Sequence, residues 1–364
     1  MNRRQFLASA VTATASVPML PACSRRENSP TYEDVVRETT HSAPTPLTNR
    51  TNVLRDLVRY ATMAASSHNT QPWKFRLTEQ SITVLPDLSR RCPIVDPDDH
   101  HLFVSLGCAT ENLVQAALAR GLHADIAVQA DRVDVALKDA ERITSPLFDA
   151  IPARQCSRSI YDGRALPMSE LRLLEEAAHG DGVQVLVFTD KARVETVLEY
   201  VARGNAVQIG DAAFVNELRD WIRFNEADAL RTRDGLFSPS TGNPAVPRWL
   251  GRLLVRGLLT AKSENDKSAK QLRSSAGVAI FVSNASDQRH WIEVGRCYER
   301  FALQATALGI RNAFLNQPVE VAPLRSQFAA WLGIGERRPD LIVRFGRGPE
   351  MPRSLRRPVD DVVI

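Results

Sequence analysis

The order of periodic segments constrains this chain most, because a similar order runs through it twice. Leu54, Leu57, Val58, Ala61 and Ala65 fall on one face at helical spacing. A short polar run follows, and then "KFRLTEQSITVLP" alternates like a strand pair with a turn near Glu79-Gln80-Ser81. "DPDDHH" opens a second helix, with Phe103, Leu106, Thr110, Leu113, Val114 and Ala117 facing inward, and "ADIAVQADRVDVALK" supplies two more strands around Asp131-Arg132. From Leu166 the pattern recurs: the helix "LPMSELRLLEEAAH" with Ser169 as cap, the strand "VQVLVF", the helix "KARVETVLEYVARGNAV" and the strand "AGVAIFVS". A long buried helix, "WIEVGRCYERFALQATALGI", then "LRSQFAAWLGI" and the strand "DLIVRF" complete it. The mixture predicts an α+β fold. No GxGxxG and no GxxxxGK[ST] occurs, so the Rossmann and P-loop folds lack their defining loop.

The chain has 364 residues, 44% hydrophobic and 24% charged, which is enough for one large or two smaller cores. A net charge of +4 is too mild for a dedicated nucleic-acid binder, and none is expected as partner. The five cysteines show no CxxC pair, which argues against a zinc site or a disulfide framework.

The first residues read as an address. Arg3-Arg4 precede Gln5-Phe6-Leu7 and a weakly apolar run to Leu20, with no acidic residue before Cys23. The segment, residues 1–23, resembles a twin-arginine export signal, against the plainer alternative of a basic arm. "LPAC" resembles a lipobox that would anchor the chain at Cys23, although Pro21 departs from its usual pattern. Residues 24–50 are polar and contain prolines, and read as a tether. The expected location is the periplasm or cell envelope. The twin-arginine route carries folded proteins, typically already loaded with a cofactor.

Three stretches can carry chemistry: Ser66-Ser67-His68-Asn69-Thr70-Gln71-Pro72-Trp73, then "IPARQCSRSIYDGRALP", then the tail "RFGRGPEMPRSLRRPVDDVV". Together and in this order they resemble the flavin-dependent nitroreductase family: its PSSxNxQPW loop, its RxSxR phosphate motif and its C-terminal RRP. The resemblance covers most of residues 51–364 and is nearest to the single-chain, double-length Acg-like branch. It implies a nitroreductase-like fold of two tandem half-folds, an intramolecular pseudo-dimer that would be a monomer in solution. The halves would span residues 51–145 and 146–364, with a lid-like insertion at 220–275.

The resemblance implies FMN as cofactor. It carries ribityl and pyrimidine contacts onto Ser66, Ser67, Asn69 and Gln71, and phosphate contacts onto Arg154, Arg158 and Arg356. Gln155 lies within the motif, and Cys156, standing where the family often has Ser, would offer its backbone N–H. Asn316 and Gln317, in "FLNQP", match the segment that passes the reactive flavin nitrogen. The chemistry is apt: arginines answer a phosphate dianion with charged, bidentate bonds. No general acid or base is assignable. His68 reads as a bystander, and Asp98-Asp99-His100-His101 as an acidic helix N-terminus rather than a metal site. The arginines of the tail have solvated surface charge as their plain alternative.

The first half holds the polar loop but no RxSxR, and the second holds "RQCSR" but only "AAHGDGVQV" after its first helix. One complete site can therefore be assembled from the two halves. The expected function is flavin-mediated two-electron reduction of a small-molecule acceptor, with a membrane quinol or partner protein as donor. The alternative is an FMN-binding or sequestering protein without efficient turnover, its site shut by the insertion. The later part of that insertion, "RWLGRLLVRGLLTAK", is a basic amphipathic helix that could cover a pocket, touch a membrane or simply pack.

Overall fold

A computed structural model describes residues 30–41 and 49–364. The export segment and Cys23 lie outside the described residues. The segment read as a tether departs from expectation. Tyr32–Thr40 is a helix, α1, closed by a capping box between Thr31 and Asp34. Its Tyr32 and Val35 are buried against Ala229, Phe237 and Leu355, so this stretch belongs to the folded body.

The first half opens with α2 (Arg50–Thr62), capped by the Asn49 side chain. It buries Leu54, Leu57, Val58 and Ala61 at the spacing of one helical face. Strands β1 (Trp73–Leu77) and β2 (Ser81–Pro86), helix α3 (His100–Ala119), and strands β3 (Leu122–Val128) and β4 (Val133–Asp139) follow. The strands form an antiparallel sheet in the order β1-β2-β4-β3. A short helix, α4 (Pro146–Ala150), leads out.

The second half repeats the plan. It contains α5 (Met168–Ala177), β5 (Val183–Phe188), α6 (Lys191–Gly210) and α7 (Ala212–Trp221). Next come β6 (Ile222–Arg223), α8 (Glu226–Thr232), β7 (Leu236–Phe237), α9 (Arg248–Leu258) and α10 (Ala261–Arg273). Then β8 (Gly277–Ser283), α11 (Gln288–Ala307), β9 (Arg311–Phe314), α12 (Gln317–Glu320), α13 (Ala322–Leu332), β10 (Arg338–Gly346) and α14 (Val359–Val362) complete the chain. The second sheet runs β5-β8-β10-β9, again antiparallel throughout. In each sheet the order, counted among that sheet's own four strands, is first, second, fourth, third. Two tandem half-folds are thus present.

The halves meet along α3 and α11, and the contact is reciprocal. A Cβ on Gly107 would stand 1.9 Å from the Ile292 carbonyl oxygen, and one on Gly295 would stand 2.0 Å from that of Val104. Gly295 follows Gly107, and Ile292 follows Val104, at one constant spacing along the chain. This is the signature of an isologous two-fold contact, here inside one polypeptide.

The sheets differ in cover. In β8, Val278, Ile280 and Val282 pack outward against α6, α10 and α13, while Ala279 and Phe281 pack inward toward α11. Burial on both faces explains why that strand is apolar at nearly every position. The first sheet buries Phe75, Ile82, Val84, Val133, Val135 and Leu137 on one face only and accordingly alternates. The end of the chain returns to this sheet: Ile364 N–H donates to Phe75 O at 2.9 Å.

One local expectation is corrected. Ser169 does not cap α5; the helix already begins at Met168, and its N-cap is Pro167 with no side-chain bond. Within the insertion lie α8, α9 and α10, the last paired with α6 as part of the second half's outer layer.

Candidate functional site

The polar loop after α2 is backbone-strained. His68, Asn69 and Gln71 have φ of 47°, 53° and 54°, a left-handed region costing non-glycine residues on the order of 1 kcal/mol each. Asn tolerates it best; His and Gln need outside support. Asn69 Nδ2 donates to Gly235 O at 2.9 Å and Leu355 O at 3.2 Å, and its Oδ1 accepts from Arg356 at 2.9 Å. Gln71 Nε2 donates to Arg233 O at 2.9 Å, and its Oε1 accepts the Arg357 N–H at 2.8 Å. Ser66 Oγ accepts the Gln71 N–H, and Ser105 Oγ accepts that of Ser67. The carboxamides of Asn69 and Gln71 are thus spent on the insertion and the tail, which grip the loop from outside. Trp73, fully buried, anchors its far end.

The arginines divide into two groups. Arg154 lies under the loop with its Nε 2.9 Å from Glu299 and its Nη2 donating to Met63 O. Burial opposes its charge, but the Glu299 carboxylate more than offsets this and holds the guanidinium above its ordinary value. Arg356 has only neutral acceptors in Asn69 and in the carbonyls of Ser354 and Leu355. Burial, then the Arg154 charge, pushes it down to about 9. Arg154, Gln155, Arg353 and Arg356 line a cavity of about 40 Å³, roofed by Val36, Thr39 and Thr40 of α1. The buried Gln155 Nε2 and Arg356 Nε have no partner among the described residues. The lining thus carries three guanidinium groups and no carboxylate, with Glu299 set behind Arg154 and Glu350 near Arg353, and its unspent N–H donors suit an anion.

Arg158 stands apart from that cavity, half-buried, and nothing among the described residues pairs with its guanidinium. Its backbone carbonyl accepts from Gln271 at 2.6 Å, which sets it beside α10. Lys267, one turn before Gln271, has no ion pair among the described residues, and burial holds its ammonium down, with the Glu264 carboxylate acting against this and the Arg158 charge with it. His68 is pushed down to about 4 by burial first and the Arg158 charge second, so it is neutral near pH 7.

On the other side of His68 lies the start of α3. Asp96, not Asp98 or Asp99, caps this helix: its carboxylate accepts the N–H groups of His101 and Leu102, each at 3.0 Å. Asp99 pairs with Arg91 and Asp98 with Arg338. Burial works against a charged His101, but the Asp96 carboxylate outweighs it and holds the imidazole above its usual value. Asn316 Nδ2 lies 3.3 Å from His101 Nε2, and Asn316 Oδ1 accepts the Ile342 N–H. Gln317 Nε2 donates to Asn205, leaving its buried Oε1 unpaired. Ligating atoms of Asp96, His100 and His101 lie within 4.8 Å of one another. His100, however, spends its Nε2 on Asp340 at 2.8 Å.

The structure therefore gathers Arg154, Gln155 and Arg356 around one cavity. Ser66, Ser67, Arg158, Asn316 and Gln317 are half-buried and do not line that cavity. Cys156 is held by a bridge of its backbone to Asn312. Sequence reasoning missed Lys267, Arg353 as a cavity residue, and His101. The only signal for Lys267 was a lysine in an arginine-rich chain.

A second pocket, about 320 Å³, occupies the corresponding place across the two-fold. It is lined by Ile126 and Val128 of β3, Asp181 after α5, and Arg289, His290, Glu293 and Arg296 of α11. By the spacing that relates Gly107 to Gly295, Arg289 stands for His101, Glu293 for Ser105 and Val128 for Asn316.

No family model matches the chain. Over 327 residues it is 25% identical to the Mycobacterium tuberculosis protein named "Putative NAD(P)H nitroreductase Rv3131", covering 85% of this chain and 90% of that one. Over 328 residues it is 23% identical to the "Putative NAD(P)H nitroreductase acg" of the same species, covering 86% and 95%. Among solved structures, the FMN-dependent nitroreductase NfnB of Mycobacterium smegmatis in complex with NADPH aligns at a TM-score of 0.41 and 16% identity, over 59% of this chain and 96% of that one. A Bacteroides fragilis nitroreductase with bound FMN aligns at 0.34 and 16%, over 57% and 90%. Structural likeness of that degree decides nothing about ligand or activity.

Proposed function

We propose that this chain is an FMN-binding, nitroreductase-like oxidoreductase with one flavin site, built from the first half's polar loop and the second half's arginines. The observation that carries the reading is the cavity of Arg154, Gln155, Arg353 and Arg356, where three guanidinium groups and orphaned donors line a wall that holds no carboxylate. The sequence likeness to the two mycobacterial proteins named as nitroreductases, spread over most of both chains, supports it. FMN would supply the redox chemistry, taking two electrons from a reduced donor and passing them to a small-molecule acceptor.

The residues fit the group, with two adjustments to the roles implied by resemblance. A cavity of about 40 Å³ suits a phosphate rather than a three-ring system, so Arg154, Gln155, Arg353 and Arg356 would hold that end. Arg158 and Lys267 would then face the pyrimidine edge, where their charge favours the electron-rich reduced ring. Asn69 and Gln71 would shape the loop from behind, leaving Ser66, Ser67 and the loop backbone toward the ligand. Neutral His68 and His101, whose imidazole Asp96 holds above its ordinary value, would border the flavin, with Asn316 and Gln317 opposite. Segment 233–235 and helix α1 would exclude water.

The test compares FMN with riboflavin. Charged hydrogen bonds are worth roughly 1.5–3 kcal/mol, so Arg353→Ala should weaken FMN about ten- to a hundredfold and leave riboflavin almost unchanged. Equal losses would remove the phosphate assignment; a protein that binds neither would remove the flavin reading. The alternative, a sequestering protein, is favoured by the grip of residues 233–235 on the loop. It predicts that bound flavin stays oxidised with NADPH and with a reduced quinol alike. A membrane or protein donor, rather than NAD(P)H, predicts slow bleaching by NADPH and rapid bleaching by quinol. Export through residues 1–23, and anchoring at Cys23, are tested by fractionation of Arg3→Lys/Arg4→Lys and Cys23→Ser chains.

A further inference from the structure

Helix α9 has a face that the protein does not cover. Trp249 is 71% exposed and Leu253 is 61% exposed, among the most exposed large apolar side chains described. At 100° per residue, Trp249, Arg252, Leu253 and Arg256 share one arc of the helix. The opposite side is seated: Gly251 is buried, and a Cβ there would meet the Phe224 ring at 2.1 Å. The helix cannot simply roll to hide its tryptophan, because the glycine contact fixes its rotation.

No acidic residue occurs between Arg248 and Leu258. Around the helix, Arg248 reaches Asp228 at 3.9 Å and Arg252 reaches the exposed Asp220 at 3.5 Å. Arg256 has no ion-pair partner among the described residues. Exposed Trp and Leu interleaved with Arg is poor design for a free surface and for self-association, since a two-fold contact would set these arginines against their own copies. It suits a surface that is apolar beneath and anionic on top, where Trp lodges at the boundary and the guanidinium groups reach back to phosphates.

We propose that α9 is a docking helix for an anionic phospholipid surface. Its position adds a consequence: α9 follows residues 233–235, which hold Asn69 and Gln71, so the docked face would belong to the segment that closes the polar loop. The docking itself does not rest on the flavin reading.

The test uses the full chain with vesicles of phosphatidylcholine, alone or mixed with phosphatidylglycerol, carrying brominated acyl chains that quench tryptophan on contact. The expected result is quenching on mixed vesicles of a fluorescence component that is missing in Trp249→Phe, so membrane attachment through residues 1–23 cannot imitate it. A basic residue at an anionic surface is worth about fivefold in binding, so R252Q/R256Q should weaken that quenching on the order of twenty- to thirtyfold. High salt should act in the same direction. Leu253→Ser, another exposed change, should also weaken it. Equal quenching of wild type and Trp249→Phe would overturn the proposal, as would equal quenching on neutral and anionic vesicles. A concentration-dependent dimer that shields Trp249 with no lipid quenching would overturn it in favour of a second copy.

Discussion

Two places in this molecule share a scaffold and have parted in chemistry. Each lies where one half's first loop and long helix meet the end of the other half's third strand. At the first, His101, Ser105 and Asn316 line the meeting point, the loop is held in left-handed turns, and unspent cations stand nearby. At the second, Arg289, Glu293 and Val128 take those positions, and Asp181 and Arg289 form an exposed pair at 3.6 Å. The second encloses about 320 Å³ but sets Asp181 and Glu293 against Arg289 and Arg296, so its charges balance and nothing in it calls for an anion. Duplicated backbone is therefore no evidence of duplicated function; the unpaired charge and orphaned donors make the distinction.

The largest expected effect comes from the charge balance of the first place. Glu299→Ala would leave the Arg154 guanidinium buried beside Arg356 without its carboxylate. Loss of one partner of a buried pair costs about 3–5 kcal/mol, readable by urea unfolding. A loss below about 1 kcal/mol would mean that the cavity already tolerates its excess charge.

The shared scaffold is tested next. Gly107→Ala and Gly295→Ala should each destabilise by roughly 1–3 kcal/mol, because each added carbon meets the opposing helix backbone. Similar losses are the prediction of the reciprocal contact. One harmful and one neutral substitution would break it.

A third difference is in titration. His101, opposed by burial but sustained by Asp96, has its value raised on folding. Its contribution is fully present below the ordinary histidine value and is lost as pH rises through the raised one. Asp96 is opposed by burial too, yet hydrogen bonds and charge from His101 lower it, so its contribution is lost as pH falls through that lowered value. His101→Gln should flatten the alkaline side of the stability profile. Arg289→Gln, the exposed change at the corresponding position, should leave that side of the profile as it is. A profile unchanged by His101→Gln would contradict the Asp96–His101 pairing. The smallest effect belongs to Asp181→Ala, expected to stay within about 0.5 kcal/mol and to leave flavin affinity unchanged.

Much of this was legible in the sequence, for a physical reason. Periodicity reports burial, so Leu54 through Ala61, the alternation of β2 and the all-apolar β8 declare themselves. The repeat of element order announced the two halves. Polar partners are a different matter. Nothing local says that Asn69 and Gln71 will be taken up by carbonyls at 233–235 and 355, or that Arg154 will meet Glu299; such pairings are made by tertiary approach over long separations. Asp96 was passed over as the cap because it lies four residues before the helix, and only the turn at Asp99, with φ of 58°, brings it back. Helix α1 was hidden by its polar, proline-flanked surroundings, since its docking rests on just Tyr32, Val35 and the half-buried Val36.

The central claim, that one composite site serves the whole chain, is tested most directly by flavin released on denaturation per chain, paired with mass in solution. The account predicts a ratio near one, carried by a monomer. A ratio near two, or flavin retained only by a dimer whose monomer is empty, would contradict it.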